Sequence, residues 1–256
     1  MAPVRLIGTT KLGIVAPPEK SVKAVRERRP TNEDGELMGG SGKYHFFDVD
    51  HTIISGSSGP LFVRKGVQRG LFPPLTMLYI PFFFLQYYIG TLEADSRDWH
   101  FSILSGRSRQ ELEEVSRYNF QNLKVKIYPE VRRLIKELQG QGREVVLATS
   151  SLELIVRPLA EELDIKEVVA TTLEFVDDRC TGRFAEGPLL KERKKEKVHE
   201  FIRSRKVGWQ ECAFYTDSVN DLALLESVAD PIAVNPDRSL RRIASRRGWR
   251  ILKFRL

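Results

Sequence analysis

From His45 to the end of the chain, short apolar runs alternate with amphipathic stretches, the pattern of a parallel sheet covered by helices on both faces. The first run is His45 to Val49. Pro129 then opens a helix with Val131, Leu134, Ile135 and Leu138 on one stripe, Gly140 and Gly142 close it, and Val145 to Ala148 forms the next run. The rhythm returns with Cys212 to Tyr215, a helix over about 219–228, the run Pro231 to Val234, a helix over 237–247 and a last run from Trp249 to Phe254. Five such strands predict an α/β fold with an open, mainly parallel sheet.

Two regions break the rhythm. Residues 1–42 mix Pro17, Pro18, Pro30 and several glycines with charges of both signs and show no sustained apolar period, so they are expected to form an N-terminal extension outside the core. They hold no apolar segment of secretory-signal length, and their acid-free first eighteen residues leave a transit peptide as the alternative. Residues 55–125 are helix-like without a clear strand and are expected to be an inserted helical cap, leaving 43–54 and 126–256 as the core. Within the cap, Leu71 to Leu92 is a stretch of twenty-two residues without a formal charge. Its length suits a membrane span, but Pro73, Pro74, Pro81, Gln86 and three tyrosines would break or wet a lipid-exposed helix. A crossing there would also place residue 48 and residues 149–221 on opposite sides of the bilayer. The preferred expectation is helices packing their apolar faces inside the cap; the alternative is a surface that dips into lipid.

Composition narrows the class. In 256 residues, 41% apolar and 29% charged side chains describe a globular protein able to bury a core. Two cysteines, Cys180 and Cys212, cannot build a disulfide framework or a four-cysteine zinc site, which favours a reducing cytoplasm. The net charge of +7 is local: residues 237–256 hold seven arginines and one lysine against one aspartate. Such a tail suits nucleic acid or an anionic membrane, but Leu240, Ile243 and Ala244 recur at helical spacing before Gly248, and the preferred reading is the solvated face of a last helix and edge strand.

Candidate chemistry gathers at strand ends. The first run ends in FFDVDHTI, placing Asp48, Asp50 and Thr52 where an α/β sheet opens its ligand crevice. Two carboxylates this close repel by about 4 kcal/mol at 4 Å and an effective dielectric of 20, so they need a cation or a proton between them; as alternatives, aspartates also cap helices and start turns. The second run ends in Thr149, Ser150 and Ser151, hydroxyls suited to phosphoryl oxygens or to a helix cap. The third is followed by Asp217 and Asp221, and KERKKEKV supplies Lys191, Lys194, Lys195 and Lys197 on an expected helix.

These motifs, in this order, resemble the haloacid dehalogenase (HAD) superfamily of phosphohydrolases, which carries DxD, a strand-end Thr or Ser, a Lys and an acidic pair. The likeness covers about residues 44–252 and is greatest to the subgroup, subfamily IB, that includes phosphoserine phosphatase. It implies a Rossmannoid core with a C1-type helical cap between the first and second motifs. It also implies Asp48 as nucleophile, forming an aspartyl-phosphate, and Asp50 as general acid and base. Thr149, Ser150 and Lys197 would bind the phosphate, with Lys197 taken because similar segments place lysine directly before Val198 and Lys191 as second choice. Mg²⁺ would be held by the Asp48 and Asp217 carboxylates and the Asp50 carbonyl, with Asp221 and Thr52 in support. The family often has glycine after the second aspartate where this chain has His51. The implied activity is hydrolysis of a small organic phosphate of the phosphoserine type. The cap offers mainly Arg64, Lys65 and Arg69 beside its apolar stretch, so a lipid phosphate, with the cap touching a membrane peripherally, is the alternative. A third reading, from another class, is a non-catalytic nucleic-acid-binding module using the arginine-rich tail; the intact motif residues stand against it.

Overall fold

Tyr44–Phe47 is buried on both faces, and a strand without a solvent side belongs in the middle of a sheet. In the computed structural model, which describes residues 42–78 and 101–256, that strand is β1. The elements that follow it are α1 (Ser58–Gln68), α2 (Arg109–Lys124), α3 (Pro129–Gly140), β2 (Glu144–Leu152), α4 (Glu153–Glu162), β3 (Glu167–Thr171), β4 (Leu173–Val176), β5 (Arg179–Phe184) and α5 (Glu192–Ser204). The chain ends with β6 (Cys212–Thr216), α6 (Leu222–Leu225), β7 (Asp230–Val234), α7 (Arg238–Arg247) and β8 (Arg250–Leu252). Six strands form one parallel sheet in the order β3-β2-β1-β6-β7-β8. The winding reverses at β1, between β2 and β6, and an open α/β sheet has its ligand crevice at the carboxyl ends of such strands.

Alternation along β1 sends its side chains into two cores. Phe47 stacks on Tyr215 with ring centroids 4.0 Å apart and belongs to the layer containing α3 and α4. Phe46 faces the other layer with Val198 and Ile202 of α5 and Leu240 and Ala244 of α7. Helix α3 forms as its sequence dictates: Pro129 sits in the first turn and Val131, Leu134, Ile135 and Leu138 are all buried. Helix α7 begins with the Leu240 amide donating to Asp237 Oδ1 (2.8 Å) and stops at Gly248, whose φ of 71° is left-handed.

Helix α4 contains Pro158 in its interior, which has no N–H for the Leu154 carbonyl four residues earlier. Ser116 of α2 donates its hydroxyl to that carbonyl at 2.5 Å, tying the two helices together. The chain leaves and re-enters the sheet region through two adjacent segments. Ile54 pairs with Ile127, the Ser55 amide donates to the Lys126 carbonyl (2.8 Å), and the Tyr128 amide donates to the Ile53 carbonyl (3.0 Å).

Three strands were not foreseen. β3 is a half-buried edge strand, and β4 and β5 form an antiparallel hairpin whose turn residues, Asp177 and Asp178, both have positive φ (47° and 61°). The helix expected over 219–228 is shorter, a 3₁₀ turn at Val219–Asp221 followed by the single turn of α6. The extension expected over 1–42 lies outside the described residues except for Gly42, as does the 79–92 part of the apolar stretch. Among the described residues no helix is long and apolar enough to cross a membrane.

Candidate active site

Asp48 follows the last residue of β1, and its amide donates to the Tyr215 carbonyl of β6 at 2.9 Å. The chain then turns sharply. The Ile53 and Ile54 amides donate back to the Val49 carbonyl (2.9 and 3.1 Å), and His51 sits at the bend with a φ of 56°. A glycine would meet this left-handed geometry without strain; here a histidine adopts it, with Nε2 3.2 Å from the Ser57 hydroxyl.

The cation facing these carboxylates is Lys194. Its Nζ donates to Asp48 Oδ1 at 3.2 Å and to the Asp221 carboxylate at 2.9 Å, and all three side chains are more than nine-tenths buried. Thr216, the last residue of β6, donates its hydroxyl to Asp221 at 2.8 Å, so Thr216, Asp221, Lys194 and Asp48 form one buried chain. Lys197, the lysine expected from the sequence, is not part of it. Lys197 pairs with Glu186 and with Glu200 (2.7 Å) at the protein surface. The second choice, Lys191, is exposed and caps α5 with a φ of 49°. The physical reason is the helical period: Lys194, Val198 and Ile202 lie four residues apart and share the buried face of α5, whereas position 197 is rotated about 100° away from Val198.

Asp50 is held differently. Its Oδ1 accepts from the Ser58 amide (2.9 Å) at the start of α1, and its Oδ2 accepts from the Ser151 hydroxyl (3.1 Å) beyond the second motif. The two serine hydroxyls are themselves 2.9 Å apart. Ser151 reaches this position because the β2–β3 register slips between the Ala148–Val169 and Leu152–Thr171 pairs, leaving Thr149–Ser151 opposite a single residue, as in a bulge. Thr149 is buried there and its Oγ1 accepts from the Ser151 amide (3.2 Å). Ser150 contributes its carbonyl to the Thr171 hydroxyl at 2.8 Å. Thr52 is fully buried and its hydroxyl has no protein partner.

The electrostatics follow from crowding. Burial, with Asp48 and Asp221 nearby, pushes the Asp217 carboxyl up to about 8. Burial also raises Asp48, although Lys194 opposes it, and raises Asp50 against the hydrogen bonds from Ser58 and Ser151. Four aspartates around one lysine leave excess negative charge that a cation would relieve. Asp48 and Asp217 are close enough for each to feel the other's charge, and carboxylate oxygens are the donors that suit a hard ion retaining water ligands. Among the described residues there is no cluster of three acidic, histidine or cysteine side chains that could hold a metal ion. A separate cavity of about 400 Å³ between α2, α4 and the β3–β4 segment is lined by Arg109, Arg157, Glu153 and Phe175 among others, and none of the four aspartates reaches it.

The chain resembles known proteins in sequence and in fold. A family model of haloacid dehalogenase-like hydrolases matches residues 45–226. The chain belongs to that family. Among its HAD relatives, the "Inhibition of morphological differentiation protein" of Streptomyces azureus is 37% identical over 221 residues, spanning 82% of this chain and 77% of that protein. A histidinol-phosphatase of Neisseria meningitidis serogroup C is 32% identical over 216 residues, spanning 82% of this chain and 97% of the relative. A structure of a Bordetella pertussis protein of unknown function superposes with a TM-score of 0.74 at 25% identity, covering 83% of this chain and 99% of the other. A substrate-bound phosphoserine phosphatase shares the fold, with a TM-score of 0.61 at 18% identity and coverage of 84% and 94%. The family, the mainly parallel α/β fold and the enzyme class expected from the sequence, a HAD-family phosphatase, therefore stand.

Proposed function

We propose that this HAD hydrolase cleaves a phosphomonoester in two in-line steps through a phosphorylated Asp48. The observation that carries this reading is the unequal treatment of two carboxylates two residues apart. Asp48 faces the Lys194 ammonium, whereas Asp50 is held by an amide and a hydroxyl, and neighbouring acids with such different surroundings take different roles. In the first step an Asp48 oxygen forms a bond to phosphorus, the ester P–O bond breaks, and Asp50 gives its proton to the departing alkoxide. In the second, water attacks the same phosphorus, Asp50 takes a proton from it, and inorganic phosphate leaves with Asp48 restored. Lys194 offsets the charge of Asp48 and of the transferring oxygens, and Asp221 with Thr216 keeps the lysine in place. Thr149 supplies a hydroxyl donor to those oxygens. The Asp48 and Asp217 carboxylates and the Asp50 carbonyl would hold Mg²⁺, which supplies positive charge to the transferring group.

The substrate class favoured is a small primary-alcohol phosphate, in keeping with relatives named histidinol-phosphatase and phosphoserine phosphatase. A lipid phosphate is the second reading, favoured by the absence of any acidic residue from His51 to Leu92. The division into a core (43–54 and 126–256) and a cap (55–125) belongs to the same proposal, supported by the paired crossings at Ile54 and Ile127. A cytoplasmic location is also part of it, supported by two free, buried cysteines. The test is phosphate release from phosphoserine, histidinol phosphate and lysophosphatidate with and without Mg²⁺. Turnover by the native chain and none by Asp48→Asn is expected; equal release by both would overturn the mechanism.

A further inference from the structure

From His51 to Leu92 the chain has no aspartate or glutamate, three basic residues at Arg64, Lys65 and Arg69, and the chargeless stretch that begins at Leu71. The structure shows what the start of that stretch does. After α1 the chain doubles back, with the Leu71 and Phe72 amides donating to the Gly66 carbonyl (2.8 and 3.3 Å). Gly66 permits this close return, because a Cβ there would lie 2.2 Å from the Phe72 ring. Phe72 is thereby buried beside Phe62, with ring centroids 5.8 Å apart. Pro73 then opens a tight turn in which the Thr76, Met77 and Leu78 amides donate to the carbonyls of Pro73, Pro74 and Leu75 (3.0–3.1 Å).

That turn separates inward from outward side chains. Phe72 and Thr76 are buried, but Leu75 is 61% and Leu78 71% exposed, with Met77 at 36%. Among the described residues seven large apolar side chains are exposed, and three of them fall within residues 75–78, which makes a patch rather than scattered surface leucines. Arg64 is exposed and Lys65 half-buried on the adjoining helix. Exposed apolar residues and bases in one segment free of acids have the chemistry that enters the boundary between anionic headgroups and acyl chains.

We propose that this edge docks the enzyme peripherally on an anionic lipid bilayer, with Leu75, Met77 and Leu78 entering the acyl boundary and Arg64 and Lys65 facing lipid phosphates. Full crossing is ruled out by the site itself, since Asp48 precedes this segment, Lys194 and Asp221 follow it, and the three are in contact. Ser58 at the start of α1 is the residue of this region bonded to Asp50, and the contacts that hold Asp48 and Asp50 involve Lys194, Ser58 and Ser151, not Arg64, Lys65 or residues 75–78. Docking and turnover are therefore separable.

The test is co-sedimentation of the full chain with phosphatidylcholine vesicles and with vesicles that also contain phosphatidylglycerol, at low and high salt. Binding is expected to the anionic vesicles at low salt, weakened about fivefold for each charge removed in Arg64→Gln and Lys65→Gln. It should weaken at least tenfold in Leu75→Ser/Leu78→Ser. All three variants should hydrolyse a soluble aryl phosphate at the native rate and melt with the native chain. A native chain that stays in the supernatant with both vesicle types overturns the proposal. So does a Leu75→Ser/Leu78→Ser variant that sediments like the native chain, or one whose only change is loss of a dimer in gel filtration, which would assign the edge to a second copy.

Discussion

Replacing Lys194 with methionine keeps the aliphatic volume and removes the single cation lying between Asp48 and Asp221. All three side chains are at most 9% exposed, so solvent does little to compensate. Removing one partner of a buried ion pair costs about 3–5 kcal/mol, and proton uptake by the two stranded carboxylates returns part of that. A loss of about 3 kcal/mol leaves a domain of ordinary stability folded but lowers its Tm by roughly 6–12 °C at this size. Loss of a preorganised charge aimed at the transferring group lowers kcat by about 10²–10³. Lys197→Met is the control: that ammonium pairs with Glu186 and Glu200, both more than half exposed, and such pairs are worth less than about 1 kcal/mol. Hydrolysis of p-nitrophenyl phosphate with saturating Mg²⁺, together with thermal melts, compares the two variants. If Lys197→Met loses more activity than Lys194→Met, the assignment of the lysine is wrong and the helical-face argument behind it fails.

His45 is buried in β1, with its Nε2 2.8 Å from the Gly42 carbonyl and its Nδ1 3.2 Å from the Tyr215 hydroxyl. Burial lowers its pKa from 6.5 to about 4. The unfolded chain thus takes up a proton first as pH falls, and stability that is complete above pH 6.5 is lost between 6.5 and 4, by up to about 3 kcal/mol. Urea midpoints across that window should fall less steeply in His45→Gln than in the native chain; parallel curves would contradict the assignment. Gly66→Ala should destabilise by about 1–3 kcal/mol despite alanine's better helix propensity, because its Cβ meets the buried Phe72 ring at 2.2 Å; an unchanged or raised Tm would show that the return loop yields freely. Ser58→Ala and Ser151→Ala each remove a hydroxyl next to Asp50. Each should slow hydrolysis of an alkyl phosphate about tenfold more than that of an aryl phosphate, whose leaving group needs no proton. An equal loss on both substrates would indicate a merely structural role.

Much of this architecture was legible because burial on both faces writes continuous apolar runs. The runs at His45, Val145, Cys212, Pro231 and Trp249 each coincide with a strand to within a few residues, apart from β2, which continues to Leu152. β3 escaped because it is short and at the sheet edge: its apolar run is only Val168, Val169 and Ala170, all of them half-buried. The hairpin escaped because β4 and β5 are polar on one side; the readable signal was Asp177-Asp178, a pair able to take the two left-handed positions of a tight turn. Within the site, the motifs single out Asp48, Asp50, Thr149 and Asp221, and the fold joins Asp48 and Asp221 through Lys194 and places Asp50 and Thr149 against Ser151. Lys194 did not stand out among four neighbouring lysines by type, and only its spacing from Val198 and Ile202 distinguishes it. Ser58 and Thr216 were not seen at all, since a serine after a turn and a threonine at a strand end look like ordinary caps until the fold brings them to Asp50 and Asp221.

The most direct measurement of the mechanism is mass spectrometry of enzyme quenched in acid during turnover of an aryl phosphate with Mg²⁺. One PO₃ group on the peptide containing Asp48, absent from Asp48→Asn and lost on further incubation in water, is the predicted result. Full catalytic turnover with no adduct at any time, or an adduct on a different residue, would contradict it.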